Sequence, residues 1–291
     1  MYTFKIDQKT CVRCGLCVEI CPASVIEKKP DGTVDFRSEY ENICLGCGQC
    51  MAICGTKSIV AKSLSYEKNF FELHEATDFF SMLEHRRSIR QFKPEPVKKE
   101  DIEKILHSIS LAPHGDSAQH VEIAIINSRE KIMQILPAIS GFYDKLRKWL
   151  HNPFMRKIIE LRKGKATLKT LLHHLLPRIQ KGIYREISFE YDGITRGAHT
   201  IMVFHAPIDA EEHVEDAFIF VAYTSIAAQA LGLGATVIGL IAPAINKDRK
   251  IKKFFHIPPE NEAIISLIVG YPKYKYKRGI RRELKKVEWI E

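Results

Sequence analysis

The fold of the N-terminal region is decided by two cysteine-rich stretches, CVRCGLCVEICP at residues 11–22 and CLGCGQCMAIC at residues 44–54. Each spaces its cysteines as C-x2-C-x2-C-x3-C, and Gly15 and Ile20 of the first stretch correspond to Gly48 and Ile53 of the second. The chain of 291 residues has eight cysteines, and all of them lie in these two stretches. The N-terminal region is therefore an internal duplication organised around thiols.

This spacing indicates what the thiols bind. Bacterial ferredoxins hold [4Fe–4S] clusters with it, and the fourth cysteine of each run ligates the other cluster. Zinc is the alternative, because paired C-x2-C units also make tetrahedral zinc sites. A zinc site needs neither a third cysteine at the same step nor a proline after the fourth, so clusters are favoured. We predict two clusters, the first on Cys11, Cys14, Cys17 and Cys54 and the second on Cys44, Cys47, Cys50 and Cys21.

The resemblance to a two-cluster bacterial ferredoxin covers residues 1–62 and departs from it at Gly55, where a proline usually follows the last cysteine. A linker is predicted at 63–77 and a second domain at 78–291. Two helices open that domain, one capped by Thr77 or Asp78 and one over 100–111. Strands are predicted at 121–126, 200–205, 235–240 and 263–269. The fold class predicted is α+β, a ferredoxin-like domain followed by a domain that mixes helices with a central sheet.

The net charge of +9 is local. Residues 140–190 hold twelve Lys or Arg against four Asp or Glu, and residues 273–291 hold eight against three. We interpret 140–190 as a basic helical insert, with its leucines from 168 to 176 on one face, laid over the second domain as a lid. No nucleic-acid partner is predicted, because stacking aromatics do not alternate with the basic residues. A solvated surface is the favoured interpretation, and attraction of anionic ligands or of an acidic electron-donor protein is the alternative.

Residues 217–246 include no charged residue, and about 20 apolar residues suffice to cross a bilayer. Polar residues and Gly232-Leu-Gly234 interrupt the stretch, so we predict a buried helix ending near Leu231, then a strand, and no membrane span. The chain opens without a secretory leader, and cytosolic thiols stay reduced. A cytoplasmic location is therefore expected.

The most informative string after the cysteines is RRSIRQF at residues 86–92. Three arginines around a serine can hold a phosphate through forked, charge-assisted hydrogen bonds. The string resembles the R-x-S-x-R-x-F signature of nitroreductase-family flavoproteins. Further segments match that family in the same order, namely LAPHGDSAQ at 111–119, the helix with its Gly-rich exit at 216–239, and Gly270-Tyr271-Pro272. The resemblance implies an FMN-dependent nitroreductase-like α/β sandwich.

The resemblance also implies which residues meet the flavin. Ser117, which replaces the family's usual asparagine, and Gln119 are expected near the ring, with Gly239 in the Gly-rich segment. His114 is a candidate proton donor because histidine titrates near neutrality; a loop histidine facing water is the alternative. The phosphate is expected to contact the arginine string and the closing segment of the chain, through Arg86, Arg87, Ser88, Arg90, Arg278 and Arg282.

Together these features predict an FMN-dependent oxidoreductase. Electrons would pass from the clusters through FMN to a small conjugated acceptor such as a nitroaromatic, a quinone or an activated alkene. The alternative is a non-catalytic electron-transfer or redox-sensing module in which FMN is only a relay. A dehalogenase or ene-reductase on the same scaffold also stays open, as does the donor, although no G-x-G-x-x-G follows a strand. The family resemblance implies a homodimer, with the apolar 217–246 region in its interface.

Overall fold

The computed structural model describes residues 4–115, 120–177 and 187–290. The chain divides into two compact units, which we call the cluster unit (residues 1–85 and 274–291) and the sheet unit (86–273). The division differs from the predicted second domain, 78–291, because the C-terminal residues join the cluster unit. The cluster unit is therefore built from both ends of the chain.

The cluster unit repeats one local structure. Helix α1 (Leu16–Ile20) contains the third cysteine of the first run, and helix α2 (Gln49–Ile53) contains the third cysteine of the second. Each helix begins after a glycine in the left-handed region, Gly15 with φ of 78° and Gly48 with φ of 72°. A residue without Cβ adopts this conformation readily. The sequence duplication is thus also a duplication of backbone conformation, and α1 packs against α2.

Short antiparallel strand pairs close this unit around a small core. Strand β1 (Phe4–Ile6) pairs with β4 (Ile59–Ala61), and β2 (Ile26–Lys28) pairs with β3 (Val34–Phe36). A 3-10 turn over Ser38–Ile43 leads into the second cysteine run. The buried core residues come from both repeats, namely Ala23, Val25, Ile26, Val34, Met51, Ala52, Ile59, Ala61 and Phe70.

The predicted linker at 63–77 is partly structured. Helix α3 (Tyr66–Asn69) and strand β5 (Phe70–Glu72) occupy its first half, and Phe70 is buried in the core. The antiparallel partner of β5 is β10 (Arg278–Ile280), from the C-terminal end of the chain. Helix α4 (Phe79–His85) then ends the N-terminal part of the cluster unit. The linker prediction missed β5 because the partner strand lies far away in sequence.

The sheet unit is organised by one antiparallel sheet with strand order β6-β7-β9-β8. Three of its strands lie where sequence predicted them, and the strand predicted at 235–240 ends at Val237. The described strands of this sheet are β6 (Glu122–Asn127), β7 (Thr200–Pro207), β8 (Gly234–Val237) and β9 (Asn261–Gly270).

Helices cover this sheet and supply the core. Helix α5 (Lys99–Ser110) packs against the long helix α8 (His213–Ala230), which is uncharged from Ala217 onward and lies on β7, β8 and β9. Helices α9 (Ile241–Lys247) and α10 (Arg249–Phe254) follow β8. In the described part of the chain, no helix has the length and apolar character that a membrane crossing requires.

The basic insert begins inside a core helix. Helix α6 (Arg129–His151) starts before residue 140, and its first half buries Ile132, Leu136 and Ile139 completely. Helix α7 (Pro153–Thr170), broken at Gly164, has no buried residue. A π-helical turn at Leu171–Leu175 follows. Residues 178–186 of the insert lie outside the described residues, and the lid role stays a prediction.

His205 on β7 is a buried histidine whose Nδ1 accepts a hydrogen bond from Asn261 Nδ2 at 2.9 Å, in the tautomer protonated at Nε2. Burial lowers its pKa, while the nearby charges of Glu122 and Lys252 act in opposite directions. The folded state therefore binds fewer protons than the unfolded state, so stability falls as the pH drops below about 6.5, the ordinary histidine pKa.

We expect the free energy of unfolding of the H205Q variant to depend less on pH between about pH 7 and pH 5 than that of the wild type. Urea denaturation at several pH values measures this difference. An unchanged pH slope would instead assign the effect to another group such as His199, whose pKa is also lowered, by burial and by Arg129.

Candidate cluster and flavin sites

The thiols fall into two spatial sets that cross between the runs. Burial raises the pKa of Cys17 to about 12, and the neighbouring Cys54, Cys14 and Cys11 add to this rise. Burial likewise raises the pKa of Cys21, whose thiol neighbours are Cys47 and Cys44. Cys50 is near Cys21, Cys47 and Cys44, and also near Cys17, so the two sets adjoin. The fourth cysteine of each run thus lies with the other run, as the spacing predicts.

One set lines a small cavity. The cavity has about 370 Å³ of empty volume, open solvent included, and its walls are otherwise apolar. The backbone N–H of Val25 donates to Cys21 Sγ at 3.4 Å, the kind of hydrogen bond that tunes cluster sulfurs. The cavity is lined by all four thiols of the second set, Cys21, Cys44, Cys47 and Cys50.

The raised thiol pKa values describe the sites before iron binds. Iron ligation needs thiolates, so cluster assembly must displace protons from these cysteines. The positive charge of the metal then stabilises the thiolates that burial disfavours. In the described residues, no three His, Cys, Asp or Glu side chains gather as closely as a single-ion site requires.

Two cations reach the backbone of predicted ligand cysteines, and sequence reasoning missed both contacts. Lys62 Nζ donates to the carbonyl of Cys44 at 2.8 Å. Arg278 Nη1 donates to the carbonyl of Cys54 at 2.6 Å, and its Nε donates to Glu72 Oε1 at 2.9 Å. Each cysteine set therefore has one basic side chain bonded beside it.

The position of Arg278 differs from the expected contact with a flavin phosphate. Strand β10 pairs with β5, and this pairing directs the guanidinium into the cluster unit. Arg282 follows β10 as an exposed residue of the same unit. Within the sheet unit, the expected phosphate contacts are therefore those of the arginine string.

The arginine string, residues 86–92, is bonded to the edge of the sheet through its backbone. Ser88 forms a parallel bridge with Ala235 of β8, and the Ile89 N–H donates to the Ala235 carbonyl at 3.1 Å. At the other end of the string, Phe92 bridges Pro272, just beyond β9. Three segments that match the family separately in sequence thus meet at one place. They are the arginine string, the Gly-rich exit and the GYP segment.

Two glycines make this docking possible. Gly234 on β8 and Gly270 on β9 are paired across the sheet. A Cβ on Gly234 would lie 2.5 Å from an Ile89 side-chain carbon, and one on Gly270 would lie 2.8 Å from the Phe92 ring. The paired glycines therefore form a flat floor on which the arginine string packs.

The docked string presents three guanidinium groups within five residues. Arg86 is exposed, Arg87 is 8 % exposed, and Arg90 and Ser88 are half-buried. Arg90 Nη1 donates to the Ser88 carbonyl at 3.2 Å, which fixes the side chain along the string. Such a concentration of forked donors fits a phosphate dianion. Gly239 is exposed two residues beyond β8.

The loop after α5 carries the expected ring contacts. His114 is exposed, and the Gly115 N–H donates to Asp216 Oδ1 at 3.0 Å. Asp216 is 2 % exposed and anchors this loop to α8. Sequence reasoning did not assign Asp216 a role; its signal is that it is the last acid before an uncharged stretch. Ser117 and Gln119 lie outside the described residues.

One chain therefore combines a cysteine-rich cluster unit with a sheet unit built on a four-stranded antiparallel sheet. The nitroreductase family model matches residues 83–271, and the 4Fe-4S dicluster domain model matches residues 10–70. The chain belongs to the nitroreductase family and carries an N-terminal 4Fe–4S dicluster domain.

Individual relatives are distant. The chain is 22 % identical over 194 residues to an FMN reductase [NAD(P)H] of Bacillus subtilis, covering 66 % of this chain and 64 % of that protein. Two solved nitroreductases with bound FMN share the fold. The one from Bacteroides fragilis has a TM-score of 0.52 at 13 % identity, covering 74 % of this chain and 100 % of its own. The one from Desulfitobacterium hafniense has a TM-score of 0.51 at 17 % identity, covering 75 % and 100 %.

Proposed function

We propose that the protein binds two [4Fe–4S] clusters in its cluster unit and FMN in its sheet unit, and that electrons pass from the clusters through FMN to a small conjugated acceptor. Clusters exchange single electrons, and FMN supports the two-electron reduction of organic acceptors. The observation that carries this proposal is the presence, in one chain, of crossed cysteine sets and of an arginine string docked on a nitroreductase sheet. Nitroaromatics, quinones and activated alkenes are the acceptor classes proposed.

The chain's own residues would hold FMN at two places. Arg86, Arg87, Ser88 and Arg90 supply forked and hydroxyl donors for the phosphate, and docking on β8 fixes them before the ligand arrives. Asp216 holds Gly115, in the middle of the 111–119 segment, and Ser117 and Gln119 of this segment are proposed from the family resemblance to lie near the ring.

The electron donor is proposed to be a reduced carrier protein that delivers single electrons. The name of the Bacillus subtilis relative gives NAD(P)H as its donor. A chain with its own dicluster domain has another entry for electrons, so a nicotinamide is the second choice here. Reduction of the protein by a low-potential ferredoxin, compared with reduction by NADH and NADPH, distinguishes the two donors.

A homodimer is part of the proposal. Helix α8 is uncharged from Ala217 to its end, and its Phe218 is 51 % exposed. An apolar helix face of this kind fits the interior of a subunit interface better than it fits water. Sedimentation equilibrium of the FMN-loaded protein measures the oligomeric state, and a monomer would contradict this part.

The proposed function is tested by anaerobic reconstitution with iron, sulfide and FMN. We expect both cluster and flavin absorption, and turnover of a nitroaromatic by the dithionite-reduced protein. The R86Q/R90Q variant should bind FMN about tenfold or more weakly at an unchanged iron content, because charge-assisted hydrogen bonds contribute about 1.5–3 kcal/mol each. The R249Q variant, at an exposed arginine of the same unit, is the matched control.

A wild-type protein without flavin bands would overturn the enzyme function. Iron lost together with FMN in R86Q/R90Q would contradict the assignment of two independent sites. Flavin that is reduced but turns over no acceptor would favour the relay module instead.

The crossed ligand sets are tested by pairs of cysteine substitutions. Cys11 and Cys54 are proposed to ligate one cluster, so C11S/C54S should lose about as much iron as C11S alone, roughly half of the total. Cys11 and Cys21 are proposed to ligate different clusters, so C11S/C21S should lose nearly all of it. If C11S/C54S instead lost nearly all of the iron and C11S/C21S lost only about half, each run would hold its own cluster.

A further inference from the structure

The guanidinium of Arg278 is a buried positive charge beside one ligand cysteine. Its side chain is 7 % exposed, and it donates to the carbonyls of Cys54 at 2.6 Å and Gly55 at 3.4 Å. Its guanidinium carbon lies 5.4 Å from the centre of the Tyr66 ring. The Tyr66 hydroxyl donates to the Ile59 carbonyl at 3.0 Å, which fixes the ring beneath the arginine.

The charges around Arg278 do not cancel its effect. Glu72 accepts from it, but the Glu72 side chain is 58 % exposed, so water reduces the effect of the carboxylate without removing it. Lys57 Nζ also approaches Glu72, at 3.4 Å. Together Arg278, Glu72 and Lys57 carry one net positive charge. Arg278 is the buried residue of the three, and it is the one bonded beside Cys54.

The backbone holds this charge in place. In the β5–β10 pair, Arg278 is opposite Glu72 and Gly279 is opposite Phe71. The Lys277 N–H also donates to the carbonyl of Ala52, in the helix that precedes Cys54, at 3.2 Å. The C-terminal strand therefore brings a fixed cation to this cysteine.

We propose that Arg278 is a positioning and tuning residue that raises the reduction potential of the cluster held by Cys11, Cys14, Cys17 and Cys54. Reduction adds one electron to a cluster and breaks no bond, so a nearby fixed positive charge favours the reduced form. Hydrogen bonds and charge around the ligand sulfurs are known determinants of cluster potential. This inference rests on the proposed function, because it requires clusters in the cysteine sets.

Lys62 is the matched control within the chain. It donates to the carbonyl of Cys44 at 2.8 Å and so stands beside the second cysteine set. Removing its charge should affect the second cluster, and removing the charge of Arg278 should affect the first. The two substitutions therefore separate a local effect from a general loosening of the cluster unit.

The experiment is a redox titration of the full-length reconstituted protein with dithionite, followed by electron paramagnetic resonance. The signal of the first cluster is identified by its loss in C11S. In R278Q we expect the ratio of reduced to oxidised first cluster, at a fixed potential, to fall about tenfold, which is 59 mV for a one-electron couple. R278K should retain most of the wild-type ratio, and K62Q should move only the other signal.

Glu72→Gln gives a second test with the opposite sign. It removes an exposed negative charge beside Arg278, so the first-cluster signal should move to a higher potential. An R278Q protein with full iron content and an unmoved signal would overturn the inference, as would equal movement of both signals. If R278Q loses iron, E72Q becomes the deciding variant. An E72Q protein whose first-cluster potential is unchanged or lower would then overturn the inference. A wild-type protein that takes up no clusters would overturn the proposed function itself.

Discussion

Replacement of Gly234 by alanine is expected to weaken FMN binding while iron stays in place. The new Cβ would lie 2.5 Å from one side-chain carbon of Ile89 and 2.6 Å from its Cβ, so the side chain cannot simply rotate away. The arginine string would have to shift from β8, which moves Ser88 and Arg90. Overpacking of this kind costs about 1–3 kcal/mol, and we expect a roughly 5- to 150-fold rise in the FMN dissociation constant.

Equilibrium dialysis of FMN and iron analysis of the same sample measure this outcome. The control is G141A, because a Cβ at Gly141 on α6 meets nothing within 4 Å and alanine favours a helix. FMN affinity should be unchanged in that variant. Wild-type FMN affinity in G234A would mean that the docking of the string on β8 does not hold the flavin.

The largest loss of stability is expected from Arg129→Met. Arg129 is completely buried and pairs with Asp192 at 3.1 Å, and both side chains are 0 % exposed. It also donates to Thr195 Oγ1 and to the carbonyls of Ser188 and Phe189. Methionine leaves the Asp192 carboxylate buried without a cation, and breaking such a pair costs about 3–5 kcal/mol of unfolding free energy.

Urea denaturation followed by Trp149 fluorescence, in a Trp289→Phe background, measures this loss in the sheet unit. The double variant R129M/D192N should be more stable than R129M, because it removes the uncompensated charge. R147Q is the control on the same helix, since Arg147 and Asp144 form a partly exposed pair worth about 0–1 kcal/mol. A destabilisation in R129M no larger than in R147Q would contradict the expectation.

Local patterns in the sequence predicted most of the fold. The cysteine spacing alone predicted both thiol sets, because a cluster accepts few arrangements of ligands on one loop. Runs of apolar residues predicted the strands of the large sheet, which are long enough to show their character. Helix α5 was predicted within a residue at each end, because its apolar residues follow a helical stripe.

What sequence did not predict depends on contacts between distant residues. Strand β5 and its partner β10 are three residues each, too short for a periodic signal. Glu72 and Arg278 are 206 residues apart, and nothing local shows that they meet. A basic C-terminal segment is equally compatible with a phosphate and with a cysteine carbonyl, so the partner of Arg278 could only come from the structure.

The division of the cluster unit between the two ends of the chain has a consequence for biosynthesis. A ribosome completes both cysteine runs and β5 long before it reaches β10. At roughly 5–20 residues per second, the interval is about 10–40 s. During that time the nascent cysteine sites lack their last strand and the Arg278 charge, while the whole sheet unit emerges and folds. A cluster inserted before β10 is synthesised would form without the Arg278 charge, and a cluster inserted afterwards would form beside it.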